Sequence, residues 1–170
     1  MVGLSETRAR ELLASVKEPA ACSCDSCKEM CKRPCWPTPE EAEAIIAAGF
    51  AGKLMYNYWV GGSELKVYDF DGEDHEPLHG DIGLLCPAEP GREGGNASFL
   101  PYGGCVLQND AGLCVLHDLK LKPTEGRLAS CLHAKHQPDN KVNVHKCVAA
   151  TWDTPRAQAI IARWRETVTF

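Results

Sequence analysis

Apolar residues recur at Ala9, Leu12, Leu13 and Val16, the spacing of one helical face, which predicts a helix over residues 4–17 closed by Pro19. A second helix has a stronger local signal. Thr38 is suited to cap it, Pro39 to be its first residue and Glu41 to complete a reciprocal capping box; Ala42, Ile45 and Ile46 form its apolar stripe and Gly49 its terminator. The same start, Thr154-Pro155, opens a last helix over 154–168 with Ala157, Ile160, Ile161 and Trp164 on one face.

Between these helices the periodicity shortens. Residues 53–79 mix aromatics (Tyr56, Tyr58, Trp59, Tyr68, Phe70) with turn residues, and predict short strands with Leu65, Val67 and Asp69 on one face and Lys66, Tyr68 and Phe70 on the other. Ile82 to Leu85 predicts another strand ending at Cys86-Pro87, followed by a Gly-rich loop over 89–96. Val106-Leu107 and Leu113 to Leu116 flank the turn residues Asn109 to Gly112 and predict a hairpin. A Pro-Thr-Glu-Gly turn follows within 119–130.

At 170 residues a single domain over 1–170 is expected, of α+β class, with short strands, a hairpin and about three helices. The chain is long enough to bury a core unaided, although 15 Gly and 11 Pro against 7% aromatics imply many turns. A net charge of −5, with no basic stripe interleaved with aromatics, argues against nucleic acid as a partner. The first residues carry acidic groups and no continuous apolar stretch, and no apolar run approaches the ~20 residues that span a bilayer. The expectation is a cytoplasmic protein without a membrane partner.

Cysteine changes this picture. Five of the ten fall within 22–35, as Cys22, Cys24, Cys27, Cys31 and Cys35, and two more, Cys105 and Cys114, sit at the ends of the predicted hairpin. In a reducing compartment such density favours a thiolate-bound metal over disulfides, because crowded thiolates repel one another unless a cation holds them. Cys24-Asp-Ser-Cys27 is a CxxC pair, and the four-residue spacing of Cys27, Cys31 and Cys35 predicts three thiols on one helical face. Whether Cys22, Cys86, Cys131, Cys147 or His117 add to the ligand set is open at this stage. His133, His136 and His145 lie among polar residues and are expected to face solvent. Asp69, Asp71, Glu73 and Asp74 read as a solvated turn.

The cysteine cluster, the Thr38-Pro-Glu-Glu41 helix start, the Cys105-Val-Leu…Gly-Leu-Cys114-Val-Leu-His117 stretch and Leu119 to Arg127 together resemble the YkgJ-like (CxxCxxCC) family of zinc- or iron-chelating domains. The resemblance covers residues 22–131. The chain has spaced cysteines where that pattern has an adjacent pair, and lacks its Arg-Pro-x-x-Cys-Arg ending. It implies a metal-binding core over 22–131 organised by Cys24, Cys27, Cys31, Cys35, Cys105 and Cys114. The centre is an iron–sulfur cluster or zinc, with the cluster preferred because the donors are nearly all cysteine. The function expected is a structural or interaction module for a protein partner. The alternative is an iron- or iron–sulfur-dependent enzyme or redox protein, protein modification included, with His117, Lys122, Glu125 and Arg127 as the groups to test. A disulfide-stabilised binding module is the third reading.

Overall fold

Helix α1 (Glu6–Ser15) begins where the Ser5 hydroxyl accepts the Arg8 N–H at 3.2 Å. The structure, a computed structural model, describes residues 4–18, 23–59, 81–97, 103–128 and 142–169. Cys22, Cys131, His133, His136, the acidic turn at 69–74 and the strand expected around 65–70 lie outside the described residues.

A short helix, α2 (Asp25–Met30), carries the cysteine segment. Helix α3 (Pro39–Ile45) has the full capping box: Thr38 N–H donates to Glu41 Oε2 at 2.9 Å, and Glu41 N–H donates to Thr38 Oγ1 at 3.4 Å. A widened helical turn, Ile46–Phe50, leaves through Gly49 at φ +95° and delivers the chain to strand β1 (Leu54–Trp59). Strand β2 (Ile82–Pro87) pairs with β1 antiparallel, from Leu54 opposite Pro87 to Trp59 opposite Ile82. Three more elements follow before the last helix: α4 (Val115–Asp118), α5 (Thr124–Leu128) and α6 (Val144–Thr151). The last, α7 (Pro155–Val168), starts at Thr154 and buries Ala157, Ile160, Ile161 and Trp164, the predicted stripe.

The described residues thus form an α+β arrangement of seven helices and one two-stranded sheet, more helices than the three expected. Three of the additional ones have six residues or fewer and too little length to show a period. The fourth, α6, spans only eight residues, and Asn143, His145 and Lys146 at its start read as polar loop although all its residues but His145 are buried.

Every residue of β2 is buried, and the strand forms the centre of the core. Helix α7 packs on β2, and α6 packs on α1. The buried indoles are satisfied where the chain crosses itself: Trp152 Nε1 donates to the Pro37 carbonyl at 2.8 Å, and Trp164 Nε1 to that of Ala51 at 2.9 Å. No helix among the described residues is long and apolar enough to cross a membrane.

Candidate metal centre

Cys24 is the residue before α2, Cys27 lies within it and Cys31 ends it, donating its N–H to the Cys27 carbonyl at 3.0 Å. The helix does not continue to Cys35. Pro34 has no N–H to give and disfavours helical geometry at Arg33, so the chain runs on without regular structure through Pro34, Cys35, Trp36 and Pro37. The expected three thiols on one helical face therefore become two on or beside a helix and one on an irregular strap. The strap is pinned by α5: Trp36 N–H donates to Glu125 Oε2 at 2.7 Å, and Glu125 N–H donates back to the Trp36 carbonyl at 3.3 Å.

The stretch from Cys105 to Cys114 is not the expected strand hairpin. One antiparallel bridge joins Gln108 to Cys114, Val106 and Leu107 turn, and Val115 already begins α4. Asn109 causes the tight closure. Its N–H donates to the Leu113 carbonyl at 2.8 Å and its side chain accepts the Leu113 N–H at 3.0 Å, leaving no room for a longer ladder. Gln108 Nε2 then donates to the carbonyls of Gly112 and Lys28, both at 2.9 Å, and so ties this loop to the cysteine helix 80 positions earlier.

This folding brings Cys31, Cys35, Cys105 and Cys114 around one cavity of about 20 Å³, which Pro87, Leu107 and Pro123 close and Arg33, Gln108 and Lys122 border. Cys24 and Cys27 do not line it; Cys24 is exposed and Cys27 is buried. Cys86, in β2, and Cys147, in α6, belong to the apolar core. Among the described residues no three His, Cys, Asp or Glu side chains are arranged so as to hold a metal ion, so the four sulfurs ring the cavity without converging.

They nevertheless feel one another. Burial pushes the Cys105 thiol up from its ordinary value to about 11, with the charges of Cys114 and Cys31 adding to the rise. Burial likewise drives Cys35 well upward, reinforced by Glu125, Cys31 and Cys105 and opposed by Lys122. Cys114 rises through burial and Cys31, again with Lys122 opposing. Gly126 leaves room for the same group: a Cβ there would stand 2.9 Å from Cys35 Sγ and 3.2 Å from Lys122 Cε. Gly126→Ala is therefore expected to displace Cys35 and cost about 1–3 kcal/mol by overpacking, read as a lower urea midpoint. An unchanged midpoint would mean that the Cys35 side chain has room to yield.

Cys31, Cys35 and Cys114 also border a groove of about 960 Å³, together with Cys27 and all four groups singled out after the predicted hairpin, His117, Lys122, Glu125 and Arg127. His117 is exposed there. Arg127 is held by Glu18 at 2.8 Å and Glu41 at 2.9 Å, and Glu41 also accepts from Thr124 N–H at 2.9 Å and from its hydroxyl at 2.6 Å. The capping carboxylate of α3 thus also anchors α5, a role no local pattern reveals. Glu125 is 3% exposed and receives Arg33 at 2.9 Å and His145 Nδ1 at 3.2 Å besides the Trp36 N–H. His145 is not solvent-facing as expected: its ring is half-buried and stacks on Trp36 with centroids 3.7 Å apart. No protein-family model matches this chain, and no curated protein or solved structure is significantly similar to it.

Proposed function

We propose that this chain is a thiolate metal-binding protein whose ion is held by Cys31, Cys35, Cys105 and Cys114. The observation that carries the reading is the meeting of these four cysteines, two from each of two remote segments, around a single cavity. The residues fit such an ion by chemistry. All four donors are sulfur, suited to zinc or iron, and Lys122 borders the cavity as a counter-charge to thiolates. A void of about 20 Å³ is close to the space of one water-sized occupant. That size supports a single ion, zinc first, over the iron–sulfur cluster preferred from composition.

Thiolate-bound zinc supplies no redox chemistry; it neutralises its ligands and adds its binding free energy to folding. Loading is an organising step, since raised thiols must lose protons and turn onto the ion. The consequence is a locked assembly of the cysteine helix, the 105–114 loop and α5, a rigid surface of the kind a protein partner docks on. The resemblance to YkgJ-like chelating domains supports thiolate metal binding, but it implied Cys24 and Cys27 as ligands too, and neither lines this cavity.

One observation favours an iron-dependent enzyme or redox protein as the second reading. Three of the four cysteines border the large groove in which His117, Lys122, Glu125 and Arg127 also stand, so a centre there would be reachable by a substrate. Elemental analysis with a visible spectrum on protein purified without oxygen separates the two. About one zinc per chain and no colour is the expected result. Iron with acid-labile sulfide and a broad band at roughly 400 nm would favour the second reading. Neither metal, with no uptake of zinc added to reduced protein, would refute both.

A further inference from the structure

Neither Cys24 nor Cys27 lines the small cavity, although Cys27 borders the groove together with Cys31, Cys35 and Cys114. The Cys24 carbonyl accepts the Lys28 N–H at 3.0 Å, which already sets Cys24 in register with the first turn of α2, and Cys27 follows three positions later. Helical geometry at that spacing puts the two Cα atoms about 5 Å apart. A disulfide asks for roughly 4.4–6.8 Å. The two sulfurs differ in access: Cys24 is exposed, whereas Cys27 is only 8% exposed. This asymmetry suits thiol–disulfide exchange, with one sulfur that an incoming molecule can reach and a sheltered one that resolves the adduct.

We propose that Cys24 and Cys27 form a thiol–disulfide exchange site that takes small dialkyl disulfides of the glutathione kind and works independently of the metal cavity. The Cys24 thiolate attacks one sulfur of the incoming disulfide. That S–S bond breaks, the first small thiolate leaves with the bonding pair and takes up a proton, and a mixed disulfide remains on Cys24. The Cys27 thiolate then attacks the Cys24 sulfur and expels the second small thiol. Two protein thiols are oxidised to one disulfide while one small disulfide is reduced to two thiols, and no other oxidant enters. In a reducing compartment a disulfide of this sort is transient, as befits a sensor or exchanger.

The test equilibrates the full chain, zinc-loaded and metal-free in parallel, with graded ratios of reduced to oxidised glutathione, followed by alkylation and peptide mass mapping. A single Cys24–Cys27 disulfide is expected in both samples, with the zinc content of the loaded one unchanged. Cys27→Ser is expected to accumulate a glutathione adduct on Cys24. Cys24→Ser is expected to form any adduct on Cys27 at least about tenfold more slowly. The proposal is overturned by failure of the pair to close at any ratio, or by closure through a different cysteine. It is equally overturned if closure expels zinc, since the two sulfurs would then be ligands. Because peptide mapping of the metal-free sample locates the Cys24–Cys27 disulfide without reference to metal, failure of zinc to bind leaves this test intact.

Discussion

Cys105→Ser is expected to abolish stoichiometric metal binding. Cys105 borders the cavity but not the groove, so its replacement removes a donor without altering the groove lining. Structural zinc sites contribute on the order of 10–16 kcal/mol of apparent binding free energy, and a serine hydroxyl does not replace a thiolate on a soft ion. Affinity is expected to fall by at least about 1,000-fold, leaving the variant no more than half-loaded at the metal concentration considered next. With metal at about 1,000 times the parent Kd, the loaded protein carries roughly 4 kcal/mol of stabilisation that the variant lacks. For a chain of this size that corresponds to a Tm lower by roughly 8–16 °C. Competition with a chromophoric chelator and a thermal scan of the loaded proteins measure both effects. Cys24→Ser is the control and is expected to retain full metal content. If the control lost metal as completely as Cys105→Ser, the four-cysteine assignment would have to be abandoned for one including the CxxC pair.

The second large effect concerns Glu125, whose carboxylate is buried and holds the strap that carries Cys35. Glu125→Ala leaves the Trp36 N–H without its 2.7 Å acceptor and removes the partner of His145 and Arg33. Arg33 is 59% exposed, so its ion pair is screened and the buried groups dominate the cost. We expect a loss of about 3 kcal/mol, within the range for stripping the partner from buried polar groups. Glu125→Gln, which keeps an acceptor for the Trp36 N–H, is expected to lose about half as much. Chemical denaturation of the three proteins checks the order.

The same carboxylate sets a pH dependence. Burial alone would raise it, but His145, Arg33 and the Trp36 N–H together hold it below its ordinary value of 4.5. A group depressed in the folded state contributes stability that is present above 4.5 and lost as pH falls from there through its folded value. Glu125→Gln should therefore flatten the acid limb of the stability profile below about pH 4.5. An acid limb as steep in the variant as in the parent would assign that loss to other carboxylates.

Much of the helical framework was legible before folding was considered. Thr38 and Glu41 satisfy each other's backbone N–H groups within four positions, with Pro39 fitting the first helical position; the Thr154 hydroxyl accepts the Ala157 N–H in the same way, and Gly49 takes the left-handed conformation that ends a helix. The Cys105–Cys114 stretch misled because apolar flanks around Asn109 to Gly112 suit a ladder and a tight loop alike, and the Asn109 side chain decided between them. His145 gave no sign of its partial burial, since Asn143 and Lys146 near it in sequence are polar and its partners, Trp36 and Glu125, are remote.

The sequence by itself determined the helix ends, the apolar face of α7 and the wealth of thiols near the start of the chain. These depend on neighbours within one or two turns, where hydrogen bonding and side-chain period act over a few ångströms. Tertiary structure alone decided which thiols share a cavity. It excluded Cys24 and Cys27 and joined Cys31 and Cys35 to Cys105 and Cys114, through Gln108 reaching Lys28, Glu125 reaching Trp36, and a glycine at 126 leaving space for the Cys35 sulfur. Those contacts span 80 or more positions, and their strength comes from burial that exists only once the remote segments have packed together.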